Sequence, residues 1–148
     1  MKLFLFILFI TALVQTSFIP LNLCLILLIA RSYAVHNSNN YYLALLSGIL
    51  LGVLTSFNIG FYAILFVLAV FLIHLIRLLP ITGKFYTVWP VTFVVLSLAM
   101  VAENFVYHSE LNWWHPVIGA FIAVPVFIFV REWEERFVAK PGIKLKYK

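Results

Sequence analysis

Six apolar runs, separated by short polar or proline-marked breaks, leave this chain few ways to satisfy its backbone. In lipid every N–H and C=O must find a partner inside the protein, and for a single apolar run the helix is the structure that does so. The runs read as helices over Lys2 to Ile19, Leu21 to Val35, Tyr41 to Phe57, about Gly60 to Leu79, Phe85 to about Phe105, and about Trp114 to Val130. Composition agrees. The chain is 65% hydrophobic and 10% charged with mean hydropathy +1.11, against roughly 45–50% apolar and about 25% charged in soluble domains. The expected fold class is an all-α integral membrane protein, a compact bundle of about six transmembrane helices. Residues 1–132 form its membrane domain and 133–148 a basic cytoplasmic tail.

The breaks carry their own chemistry. Pro20 ends the first run, and Asn22 stands where a side-chain cap for the second helix belongs. His36-Asn37-Ser38-Asn39-Asn40 is a polar loop, and Leu79-Pro80-Ile81-Thr82-Gly83 closes the fourth run. Pro90 predicts an early kink in the fifth helix, and Pro125 falls inside the sixth, where neighbouring helices accommodate the missing hydrogen bond. Lys2 ahead of an apolar stretch resembles a signal peptide, but Ala12, Thr16 and Ser17 make a poor cleavage site, so a retained helix is expected. A lone Cys24 excludes an intramolecular disulfide.

Short loops rich in Lys and Arg stay cytoplasmic. With the N-terminus inside, Lys2, Arg31, Arg77, Lys84, Arg131, Arg136, Lys140, Lys144, Lys146 and Lys148 all fall on the cytoplasmic side, while Glu103 and Glu110 mark the outer loop between the last two helices. An even number of spans then puts both termini inside. Four spans satisfy the same rule if the first two runs form one cleaved or re-entrant unit.

Within the third run, Ala44, Gly48, Gly52 and Ser56 recur at every fourth position, followed by Gly60. At 3.6 residues per turn such a ladder keeps small side chains on one slowly drifting face, where another backbone approaches closely. The face serves packing within the bundle or a partner helix. Gly60 lies past the expected helix end, where Phe57-Asn58-Ile59-Gly60 reads as a tight turn.

The stretch from Ala44 to Ala63, with its small residues at 44 and 48, the Thr55-Ser56 pair and then Ile59-Gly60, resembles the signature hairpin of the rod shape-determining protein MreD family. Chain length, multiple spans and the basic C-terminus resemble that family too. One departure is Gly52, where many relatives carry an aspartate, so no role of that carboxylate transfers here. The resemblance implies a non-catalytic scaffold of the cell-elongation machinery in the bacterial cytoplasmic membrane. It would associate with MreC and, through it, with MreB filaments and the RodA and penicillin-binding-protein wall synthases, and it would use no cofactor. The fold also resembles the six-helix substrate-binding components of energy-coupling-factor transporters, which makes a small-solute-binding component the alternative.

Candidate polar sites are few. Glu103, near the outer end of the fifth helix, is an ionisable group in an apolar segment, read here as solvated or facing headgroups. His108, Glu110 and His115 are zinc-type ligands, but their spacing fits no compact motif. Trp113 and Trp114 suit interfacial anchoring. His74 and Arg77 share a helix face at the cytoplasmic end, where an anionic lipid or a partner carboxylate could meet them; snorkelling alone accounts for Arg77, and His74, one turn deeper, reads as a histidine hydrogen-bonded within the bundle in preference to a proton relay. Arg31 reads as a topology determinant. A solute cavity would draw on Thr55, Ser56, Asn58, Glu103, Asn104, Tyr107 and His108, provided the outer ends of helices three to five converge.

Around Arg131 to Arg136 the pairs Glu132/Arg136 and Arg131/Glu135 read as ordinary i,i+4 contacts on an exposed helix end. The tail lysines Lys140, Lys144, Lys146 and Lys148 would meet anionic lipid or a cytoplasmic partner. The chain contains no Asp, which removes a Ser-His-Asp triad and two-aspartate metal sites. Net charge +5 arises from topology charges and the tail, not from a patterned basic face, which disfavours nucleic acid.

Overall fold

Each apolar run folds as a helix. The computed structural model describes residues 2–17, 21–35, 37–55, 59–78, 87–108, 112–134 and 136. Among these the elements are α1 (Lys2–Ser17), α2 (Leu23–Ala34), α3 (Asn39–Leu54), α4 (Ile59–Arg77), α5 (Val88–Tyr107) and α6 (Trp114–Trp133). Among the described residues, α4, α5 and α6 are long and apolar enough to cross a membrane, and α1, α2 and α3 are apolar but shorter.

The central helix is α2, LCLILLIARSYA, which buries nine of its residues, Arg31 and Ser32 among them. It packs against all five other helices. Around it, α3 pairs with α4 and α5 with α6 as hairpins, and α1 lies against α2 and α3. The outward faces are apolar as well: Tyr42, Leu45, Leu46 and Val53 on α3, Ile64, Leu68 and Phe71 on α4, Leu98 and Phe105 on α5, Phe121 and Phe129 on α6. Soluble monomers seldom show apolar faces this continuous, and lipid is the solvent that suits them.

The α3–α4 hairpin explains the ladder. On α3 the buried residues Asn40, Leu43, Ala44, Ser47, Gly48, Leu51 and Gly52 recur at helical spacings of three and four. A Cβ at Gly48 would stand 2.5 Å from Ala63 Cα and 2.6 Å from Tyr62 O, so the α4 backbone itself occupies the space. The ladder face is spent on packing inside the molecule. Gly60 departs from this pattern: it is the second residue of α4, exposed, with nothing within 4 Å of where a Cβ would lie. It stands at the start of α4, where the fourth run was expected to begin. Ser56, Phe57 and Asn58 lie outside the described residues.

Two further expectations are corrected. Pro90 sits in the first turn of α5, where its nitrogen has no intrahelical acceptor to lose, so no kink follows. Asn22 occupies the N-cap position of α2, yet its side chain makes no capping bond. Its amide is engaged elsewhere.

Candidate functional site

Two clusters of interior polar side chains lie at the two ends of the bundle. At one end, the C-terminus of α1, the start of α2, the last turns of α5 and the first turns of α6 meet. The Cys24 N–H donates to Gln15 Oε1 at 3.0 Å, Gln15 Nε2 donates to Asn22 Oδ1 at 3.3 Å, and Asn22 Nδ2 donates to Glu103 Oε1 at 3.4 Å. Asn22 thus links Gln15 of α1 to Glu103 of α5 and does not cap its own helix. Beside this relay lies a cavity of about 70 Å³ lined by Asn22, Glu103 and His115 among apolar walls that include Ile26, Leu96 and Gly119. Glu103 is therefore half-buried against α2 and α6, where a solvated carboxylate was expected.

The cavity is built from α2, α5 and α6, not from the ends of helices three to five. Thr55 turns its hydroxyl back to Leu51 O at 2.8 Å. His108 is exposed and ends α5 in the left-handed conformation, φ 53°. Glu110 lies outside the described residues, and His115 reaches the cavity without His108. Trp113 and Trp114, 53% and 71% exposed, stand at the start of α6, as anchoring requires.

The other end carries the opposite charge. Arg31 on α2 pairs with Glu134, Nη2 to Oε1 at 3.2 Å, and its guanidinium lies 4.2 Å from the Phe4 ring centre. Arg31 Nε and Nη1 are buried without a hydrogen-bond partner. Close by, the Tyr33 hydroxyl and Thr87 Oγ1 share a hydrogen bond, and Tyr33 meets Phe127 edge-on at 5.7 Å. Glu134 thus extends the packed unit beyond residue 132, and Arg31 is a buried structural partner as well as a charge at a helix end. The pair Glu132/Arg136, 2.8 Å and exposed, is the i,i+4 contact expected. Glu135 and the tail lysines Lys140, Lys144, Lys146 and Lys148 lie outside the described residues.

His74 and Arg77 both turn toward α2 and α3. Arg77 Nη1 donates to Ser32 O at 3.4 Å, and His74 lies 6.2 Å from the Tyr41 ring. His74 also lines a void of about 10 Å³ with Ser32 and Asn40, whose Oγ and Oδ1 atoms are buried and unbonded. These are contacts within the bundle. Sequence reasoning missed Gln15, Asn22 and Glu134 as interior partners. The available signal for the first two was their position flanking Pro20 in an otherwise apolar stretch, where polar groups rarely go unpaired.

The chain matches no family model, no curated protein and no solved structure.

Proposed function

We propose that this chain is a non-catalytic, MreD-like scaffold of the bacterial cell-elongation machinery, seated as a multi-pass bundle in the cytoplasmic membrane with both termini inside. Its partners in this reading are MreC and, through it, MreB, RodA and a penicillin-binding protein. The observation that carries the reading is the α3–α4 hairpin, the stretch in which the resemblance lies: its small residues let two helices touch backbone to backbone. The hairpin then presents bulky apolar side chains outward, Tyr42, Leu45, Leu46 and Val53 from α3 and Ile64 and Leu68 from α4. A scaffold needs such a rigid unit with broad helix faces and no chemistry of its own.

Cavity size bears on the alternative. Solute sites for cofactor-sized ligands occupy about 300–1,000 Å³ with converging polar groups. The cavity that has such groups here is about 70 Å³, which favours the scaffold over a vitamin-sized solute carrier.

Affinity capture from native bacterial membranes after mild crosslinking tests the reading. Recovery of MreC with wall-elongation proteins is expected. Recovery of an ATPase module with a bound metabolite overturns it in favour of a transporter component.

A further inference from the structure

The Glu103 carboxylate stands out once its partners are counted. It receives one long hydrogen bond, from Asn22 Nδ2 at 3.4 Å, and among the described residues it joins no ion pair. Arg31 and Arg77 sit at the opposite end of the bundle, on the last turns of α2 and α4. A carboxylate about one helical turn, roughly 6 Å, inside the end of α5 is expensive to leave uncompensated in a bundle surrounded by lipid. The space next to it is shaped for a small cation: about 70 Å³, with Asn22 and His115 on its wall.

We propose that this cavity binds a primary ammonium group, R–NH₃⁺. Three of the residues that line it carry acceptors: Glu103 its carboxylate oxygens, Asn22 an amide oxygen with a second lone pair, and His115 an imidazole. An ammonium head offers three N–H donors to match them, and its charge-assisted bonds to a carboxylate are the strong ones. Inorganic cations fit less well. Calcium takes six or more oxygen ligands and zinc four ligands, more than Glu103, Asn22 and His115 supply. Ile26, Leu96 and Met100 provide an apolar wall for the first methylenes of R. Two sources carry this chemistry near a membrane surface, the ethanolamine headgroup of a phospholipid and a free alkylamine. The inference is independent of the scaffold reading, since it rests only on the cavity.

The test uses the full chain in nanodiscs, with lipid retention read by native mass spectrometry. Phosphatidylcholine discs are doped with phosphatidylethanolamine or with its N-methyl or N,N-dimethyl derivative. Each methyl removes one donor, so retention falls stepwise from ethanolamine to choline. Glu103→Gln lowers ethanolamine-lipid retention about tenfold while the bundle stays folded by circular dichroism. Saturable binding of free ethanolamine in pure phosphatidylcholine discs, without ethanolamine-lipid retention, supports the same site with a soluble amine as its ligand. Equal retention across the headgroup series with no ethanolamine binding overturns the proposal. So does a preference that survives Glu103→Gln. Should that variant fail to fold, the headgroup series on the wild-type chain decides alone.

Discussion

Arg31 and Glu134 lie 3.2 Å apart with side chains 5% and 9% exposed, so the last turn of the central helix is tied to the far end of α6 by a buried charge pair. Removing one partner strands the other charge away from water, which costs about 3–5 kcal/mol, whereas replacing both by apolar residues of similar volume is often neutral. Arg31→Leu and Glu134→Leu singly are each expected to lower stability by about that amount, and the double variant to recover most of it. Thermal unfolding in detergent, monitored by circular dichroism, checks this. A double variant as unstable as the singles would show that the pair organises the helix ends beyond its own charge.

The ladder separates into positions that tolerate a side chain and positions that do not. Gly48→Ala drives a Cβ into the Ala63 backbone, which cannot move without separating α3 from α4, and a loss of about 3 kcal/mol is expected. Gly60→Ala meets open space and is expected to stay within about 0.5 kcal/mol of wild type. Chemical unfolding of both variants gives the comparison directly. A Gly48→Ala chain as stable as wild type would mean the two backbones are farther apart than described.

His108 ends α5 with φ 53°, a conformation that costs a non-glycine residue about 1 kcal/mol or more. His108→Gly is therefore expected to raise stability by about 1 kcal/mol, without altering cavity ligands, since His108 is exposed and does not line it. Unfolding midpoints for His108→Gly and His108→Ala settle whether the gain comes from the glycine or merely from loss of the imidazole.

Topology is open to cysteine labelling, because the native Cys24 is fully buried and should stay silent toward a membrane-impermeant maleimide. Asn112→Cys, at an exposed position two residues before α6, is expected to label on intact spheroplasts. Arg136→Cys is expected to label only after permeabilisation. The reverse pattern would invert the orientation, and labelling of both on intact cells would break the even-span arrangement.

How much of this was readable in advance depends on the kind of signal. Helix order was legible, because apolar runs and breakers such as Pro20 and the Asn-rich loop before α3 mark elements without reference to their neighbours. Which helix lies at the centre was not, since in lipid the outward and inward faces are both apolar and hydropathy does not distinguish them. The ladder identified a close contact correctly, yet only the register of Gly48 against Ala63 assigns it to the molecule's own hairpin. Glu103 and Asn22 are 81 residues apart in sequence, and Glu134 looked like one more charge at a water boundary. Charges near helix ends all read as topology markers until their partners are placed.

The brevity of α2 has an electrical consequence. Asn22 and Arg31 mark the two polar ends along this central helix, and the path between them is about 14 Å at the helical rise, less than half of a roughly 30 Å hydrocarbon slab. In an energised membrane, potential falls mostly across the low-dielectric layer, and each 100 mV is worth about 2.3 kcal/mol per elementary charge moved through it. A thin apolar waist concentrates that drop along the bundle axis. Arg31 at one margin is paired with Glu134 and offers such a field no net charge, whereas Glu103 at the other joins no ion pair among the described residues.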